Sequence, residues 1–289
     1  MAELNFDRLP PALPAFGKVV VSRASKTVEL KEPLIATADN VKPRAMMVAA
    51  YRRVCGGTKS EFLPVCYPQV MVFPLHLHLM GHPDFPLAAM GMVHVSNRIE
   101  QAQPMRIDAS YDVSVEINGI NETARGYEFD LVTEFQDAQG KVVWRGITSI
   151  LSRRSDKSGA SSGAKKKPPA PKPSSLPELA LWTLKGNLGR RYALVSGDIN
   201  PIHISAPTAK LLGFKRAIIH GMWTLARSAA TLPVNTEEAG VLEVEFKTPL
   251  FLPGKAKLHG EAKASDFVFE VKDANNHKPI LSGKWTAGA

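Results

Sequence analysis

Asp198 and His203 stand five residues apart in the run Tyr192-Ala-Leu-Val-Ser196-Gly197-Asp198-Ile-Asn200-Pro201-Ile-His203. That spacing is not one helix face. Asn200-Pro201 between them is a turn signal, so the chain folds back and can bring both side chains together. Gly197 permits an unusual backbone angle immediately before the acid. A carboxylate and an imidazole converging from a turn can hold and polarise one water. Downstream, His220-Gly221 stands where a longer apolar helix begins. Gly221 has no side chain to block approach, and its N–H points outward at the positive helix end. It is a reasonable donor to a polarised carbonyl oxygen. An acid, a base and an oxyanion donor within 24 residues suit addition of water across a carbonyl-conjugated double bond. His220 reads first as helix-start packing and second as a further acid–base group.

The elements that must position these residues come in two similar sets. Tyr111, Val113, Val115 and Ile117 alternate with polar residues, as do Tyr127, Phe129, Leu131, Thr133 and Phe135. Leu242, Val244 and Phe246, then Phe267, Phe269 and Val271, repeat the period in the second half. A period of two marks half-buried antiparallel strands. The turns that follow also match: Asp137-Ala138 precedes Lys141 and Gly146, and Asp273-Ala274 precedes Lys278 and Gly283. This points to an internal duplication. Each half carries one apolar helical stretch before its strands, Ile218 to Leu232 and Pro68 to Met80, the latter interrupted by Pro74. A short helix is expected from Ser205 and Pro207 to Gly213. A helix against an antiparallel sheet, twice, is an α+β arrangement.

Composition narrows the classes. The chain has 289 residues, 44% of them hydrophobic and 22% charged, which suits a two-domain globular protein and excludes global disorder. The most apolar stretch, Val70 to Met80, contains Pro74, His76 and His78, so no membrane span is expected. The acidic start without an apolar run argues for a cytoplasmic protein. Six of the nine net positive charges belong to the Ser/Gly/Lys/Pro-rich stretch Arg153 to Ser175, with Lys157, Lys165, Lys166, Lys167 and Lys172. Residues 153–177 read as a flexible linker between 1–152 and 178–289. The alternative is capture of a polyanion such as an acidic carrier protein; without interleaved aromatics, nucleic acid is disfavoured. Cys55 and Cys66 read as free thiols.

Several other sites are rejected. Of His76, His78, His82 and Asp84, His78 and His82 share a helix face but His76 does not, and Pro83 intrudes, so no metal site is assigned. Gly56-Gly57-Thr-Lys59-Ser60 lacks the glycine spacing of a phosphate loop, and no G-x-S-x-G elbow is present.

The segment resembles the signature of the MaoC-like (R)-specific enoyl-CoA hydratases of the hot-dog superfamily: Tyr192, Ser196, Gly197, Asp198, Asn200, Pro201, His203 and Ala209 fit that pattern. The resemblance covers 179–289 well, and the first half only through Phe73-Pro-Leu-His76 and Gly91-Met-Val-His94-Val-Ser-Asn97-Arg98. It implies a double hot-dog fold, two antiparallel sheets each wrapping a central helix, fused as a pseudo-dimer. It further implies that Asp198 and His203 bind the catalytic water, that Gly221 N–H holds the thioester oxygen, and that Ser196 and Asn200 shape the turn. Hydroxyl then goes to C3 and a proton to C2 of a trans-2-enoyl thioester. The first half, with its broken helix, would bind the acyl chain. No metal or redox cofactor is expected, with coenzyme A or acyl-carrier pantetheine entering as part of the substrate. The alternatives are a (3R)-hydroxyacyl carrier-protein dehydratase and a non-catalytic acyl-thioester-binding protein. The two-unit chain either suffices alone or pairs again as a homodimer.

Overall fold

The computed structural model of the chain describes residues 2–153 and 170–288. The Lys165–Lys167 triplet, with Lys157, lies outside the described residues. The N-terminal half contributes strands β1 (Ala2–Phe6), β2 (Leu34–Val41), β3 (Val93–Gln101), β4 (Tyr111–Ile117), β5 (Asn121–Thr123), β6 (Gly126–Gln136) and β7 (Val142–Arg153). The C-terminal half contributes β8 (Glu178–Leu184), β9 (Gly240–Phe246), β10 (Gly254–Lys263), β11 (Asp266–Asp273) and β12 (Pro279–Ala287). Helices are α1 (Ala12–Val21), α2 (Ala45–Cys55), α3 (Tyr67–Met71), α4 (Phe73–Met80), α5 (Leu188–Ser196), α6 (Pro201–Ile204), α7 (Ala206–Leu211) and α8 (Gly221–Ala229).

The strands join one sheet in the order β1-β2-β4-β6-β7-β3-β9-β12-β11-β10-β8, with β5 on β6. Leaving out β1 and β5, the order β2-β4-β6-β7-β3 is repeated in reverse by β9-β12-β11-β10-β8. The two halves therefore share one topology and meet at the antiparallel β3/β9 pair, in register from Ser96↔Glu245 to Gln101↔Gly240. Arg98 crosses that seam to Glu243 at 2.5 Å. The sheets expected as two are thus continuous edge to edge.

The matched turns also have matched hydrogen bonds. Asp137 N donates to Lys141 O (3.0 Å) and Asp273 N to Lys278 O (2.9 Å), the second turn holding its extra residue with His277 at φ 56°. In β4 the period of two is realised as predicted, with Tyr111, Val113, Val115 and Ile117 buried.

The central helices differ from their expected bounds for backbone reasons. α8 starts at Gly221 rather than Ile218 because residues 217–219 are already bonded elsewhere. Ile218 N donates to Ile202 O, Ile219 N to Leu250 O, and Ala217 O accepts from Leu252 N. In the first half the break falls at Val72, between α3 and α4, and Pro74 sits in the first turn of α4, where a missing N–H costs nothing. α1 and α2 escape the periodicity argument altogether. α1 covers α4 through a small apolar cluster of Ala15, Val19 and Leu77. One larger apolar core runs through both halves, with Trp144 at 0% exposure.

The end of the expected linker is seated on the sheet. Lys172 O accepts from Lys272 Nζ (3.0 Å), and Gly260 N donates to Pro177 O (3.0 Å). No helix among the described residues is long and apolar enough to cross a membrane.

Candidate active site

The loop after α5 is built by short-range bonds that the residue types dictate. Gly197 ends the helix at φ 76°, a left-handed conformation that glycine adopts without strain. Ser196 Oγ accepts from Asp198 N (3.2 Å), Asp198 Oδ1 from Asn200 N (3.1 Å) and Asn200 Oδ1 from Ile202 N (3.3 Å). Asn200 thereby caps α6, and Pro201 occupies its first position, pre-set for the helix. One turn later His203 points back at the acid.

His203 Nε2 lies 4.0 Å from Asp198 Oδ2, too far for a direct hydrogen bond and suited to a bridging water. His203 Nδ1 lies 2.8 Å from Ile218 O. A carbonyl only accepts, so Nδ1 carries the hydrogen and the Nε2 lone pair faces Asp198. Burial lowers the pKa of His203, with Asp198 and the Ile218 carbonyl pulling the other way. The imidazole is therefore the neutral, basic form at neutral pH. Asp198 is the solvent-facing member, its side chain 28% exposed against 9% for His203.

His220 belongs to the same cluster. Its ring stacks on that of His203 at 3.7 Å and 25°. Its Nε2 donates to Asp198 O (3.0 Å), and the same nitrogen lies 3.8 Å from Asp198 Oδ2. Burial, more than the neighbouring His203, pushes its pKa to about 3. His220 thus remains neutral and holds the Asp198 main chain, so helix-start packing describes only part of its role. Tyr192, a motif residue, lies on α5 with its buried ring 4.8 Å from that of His220.

Gly221 is the first residue of α8. The helix-start donors Trp223 N and Thr224 N both use His220 O (3.2 and 3.3 Å), and Gly221 N has no acceptor among the described residues. A Cβ at Gly221 would lie 3.0 Å from Phe246 Cε1, so the residue also allows the close approach of β9.

Among the described residues, Asp198, His203 and His220 form the group whose ligand atoms, within 4.8 Å of one another, could hold a metal ion. The chemistry of the donors fits poorly. Stacked rings run their lone pairs side by side, and His220 Nε2 must keep its hydrogen for Asp198 O. The histidines of the rejected first-half metal reading have separate partners: His76 Nε2 meets Thr133 Oγ1 (3.0 Å), His78 packs on Phe6, and His82 Nδ1 accepts from Asp84 N (3.2 Å) with the Asp84 carboxylate 3.6 Å away.

Two contributors escape the sequence reading. Gly189 of α5 lies so close to α6 that a Cβ there would meet His203 O at 2.1 Å. The Gly189-Arg190 start of the helix is a visible glycine inside a helical run, the signal of a close approach. Phe246 ends a recognised strand, but only the sheet register aims it at Gly221.

Four histidines are held neutral, three of them buried and His94 half-buried. His76 and His220 are lowered to about 3 and His94 to about 4, each chiefly by burial, and His203 is lowered as well. The unfolded chain takes up these protons near pH 6.5, the folded chain only at lower pH, near 3 for His76 and His220 and near 4 for His94. The stability they confer is complete above pH 6.5 and is lost as pH falls below it, by about 1.4 kcal/mol per pH unit for each proton taken up. Calorimetry from about pH 7.5 to about pH 5 is expected to show Tm falling on the acid side. A flat profile would show that these histidines titrate in the folded protein.

Comparisons with known proteins identify the family. The family described as MaoC like domain matches residues 180–283, which span the whole cluster. The 3-hydroxyacyl-thioester dehydratase X of Mycobacterium tuberculosis is 36% identical over 212 residues, 73% of this chain and 74% of its own length. A crystal structure of HtdX from that organism superposes with a TM-score of 0.75 at 28% identity, over 88% of this chain and 100% of the other. A further M. tuberculosis protein, reported to have a double hot-dog fold, is similar in fold at TM-score 0.54 and 11% identity, over 92% and 96% of the two chains. A double hot-dog sheet, a capped Asp/His loop facing the start of a central helix and this degree of identity place the chain in the MaoC-like dehydratase family, as an enzyme of the hydro-lyase class.

Proposed function

We propose that the protein adds water reversibly to a trans-2-enoyl thioester to give the (R)-3-hydroxyacyl thioester. The observation that carries this reading is the 4.0 Å gap between Asp198 Oδ2 and His203 Nε2, with the His203 lone pair set toward it by Ile218 O. A water in that gap can surrender one proton to the pair while its oxygen attacks C3. The electrons of the C2=C3 bond move toward the thioester oxygen, where Gly221 N–H stabilises the negative charge. Return of the proton to C2 completes the addition. No electrons are gained or lost overall, so the reaction needs no redox partner. The (R) course rests on the resemblance of the Ser196–His203 loop to the (R)-specific hydratases. The name of the M. tuberculosis relative supports a 3-hydroxyacyl thioester as the product or substrate. The first half, with its helix broken at Val72, is assigned to the acyl chain.

The test is loss of the conjugated-thioester ultraviolet absorbance when the protein meets crotonyl-CoA and a longer 2-enoyl-CoA. Turnover is expected, with a chain-length preference that reports on the first half. Folded protein that leaves both CoA esters and their carrier-protein counterparts unchanged would refute the reading.

A further inference from the structure

His94 lies on β3, in the half that lacks the Asp/His loop, yet it reaches the active site. The β3/β7 register shifts between His94 and Ser96, and residues Val93 to Ser96 break the buried–exposed alternation seen further along the strand. Such irregularities re-aim side chains and are common beside active sites. The re-aimed imidazole lies 4.6 Å from the ring of Phe246, the same ring whose edge comes 3.0 Å from the Cβ position of Gly221. One aromatic ring therefore separates His94 from the proposed oxyanion donor. The titratable group that acts on it is Asp198 of the catalytic loop, and His94 in turn acts on His76 of α4.

Like His220, whose Nδ1 is also buried without a partner among the described residues, His94 carries an unpaired ring nitrogen. His76, His203 and His220 each have a ring nitrogen paired within the protein. His94 Nε2 is buried with no partner among the described residues. Burial holds the ring neutral, so one of its two nitrogens is an acceptor. A buried acceptor without a partner is costly, and a site that needs one at turnover explains its retention.

The chemistry at C3 supplies such a donor. Water has two hydrogens; Asp198 and His203 remove one, and the other stays on the new hydroxyl. Resting on the hydratase–dehydratase reading above, we propose that His94 contacts the substrate, its Nε2 accepting the hydrogen bond of the 3-hydroxyl. The N-terminal half then contributes to recognition at the reacting carbons as well as to the acyl chain.

The contact exists with the 3-hydroxyacyl thioester and in the transition state leading to it, and is absent with the enoyl thioester. In His94→Phe, KM for the 3-hydroxyacyl thioester is expected to rise about 10-fold with kcat little changed. In the hydration direction the same loss must appear in kcat, with KM for the enoyl thioester unchanged, because the equilibrium constant is fixed. His94→Gln, which keeps an acceptor near Nε2, should recover most of the loss. The Tm of free His94→Phe should not fall, since an unpaired buried polar atom is being removed. Wild-type rates in His94→Phe would overturn the assignment. So would a loss that raises both KM values, lowers Tm and is not rescued by Gln, the mark of a structural role. Inactive wild-type protein would instead overturn the reaction itself.

Discussion

Asp198→Asn and His203→Ala are each expected to lose about 10²- to 10⁴-fold in kcat on a 2-enoyl thioester, with KM little changed. Asn at 198 keeps the shape of the side chain and an oxygen for Asn200 N–H, but removes the charge that faces His203. Ala at 203 removes the lone pair that Ile218 O directs into the gap. The pair acts on one water, so the double variant should be little worse than either single one. Burial lowers the pKa of His203 below the ordinary 6.5, so wild-type kcat/KM should hold its plateau below that pH and fall only as the imidazole protonates. Asp198 raises that pKa, and its replacement by Asn should therefore move the acid limb to still lower pH. The measurements are initial rates across pH, with circular dichroism to establish folding. Retention of more than about a tenth of wild-type kcat by either variant would remove the pair from the chemistry.

Gly189→Ala should damage both stability and catalysis although residue 189 touches no reacting atom. Its Cβ would stand 2.1 Å from His203 O and 3.1 Å from His203 C, which are main-chain atoms and cannot rotate away. α5 and α6 must separate by roughly an ångström, a displacement that can cost about 10²-fold in rate when it moves a catalytic group. The strain of overpacking is about 1 to 3 kcal/mol, or several degrees in Tm. Gly186→Ala is the control, because a Cβ there meets only Pro253 Cδ at an ordinary 3.8 Å. Expected results are a kcat reduced by one to two orders of magnitude and a lowered Tm for Gly189→Ala, with Gly186→Ala near wild type. Wild-type rates in Gly189→Ala would show that the contact between α5 and α6 does not place His203.

The effects expected of these variants trace back to different levels of information. The Asp198–His203 loop is legible in sequence because every bond that shapes it spans a few residues. Gly197 takes the left-handed angle, Ser196 and Asn200 bond the backbone two positions away, and Pro201 starts α6. The half-buried strands are legible for the same reason, since a period of two is a property of the extended chain. The first-half helix break is legible to within two residues through Pro74.

The tertiary structure decided what lies far apart in sequence. His220 follows Asp198 by 22 residues and stacks on His203 only because residues 217–219 are tied to Ile202 and Leu250 rather than wound into α8. His94 comes from the other half, and the β3/β9 register together with the shift at Ser96 brings it against Phe246 and so to Gly221. The pairing of two distant strands has no signature within a few residues, because it depends on which strand each one meets and which face the pair buries. The sequence by itself therefore determined the loop, the strands and the chemistry they suggest. Packing determined which histidines stay neutral, which residue the second half receives from the first, and how closely α5 holds the base in place.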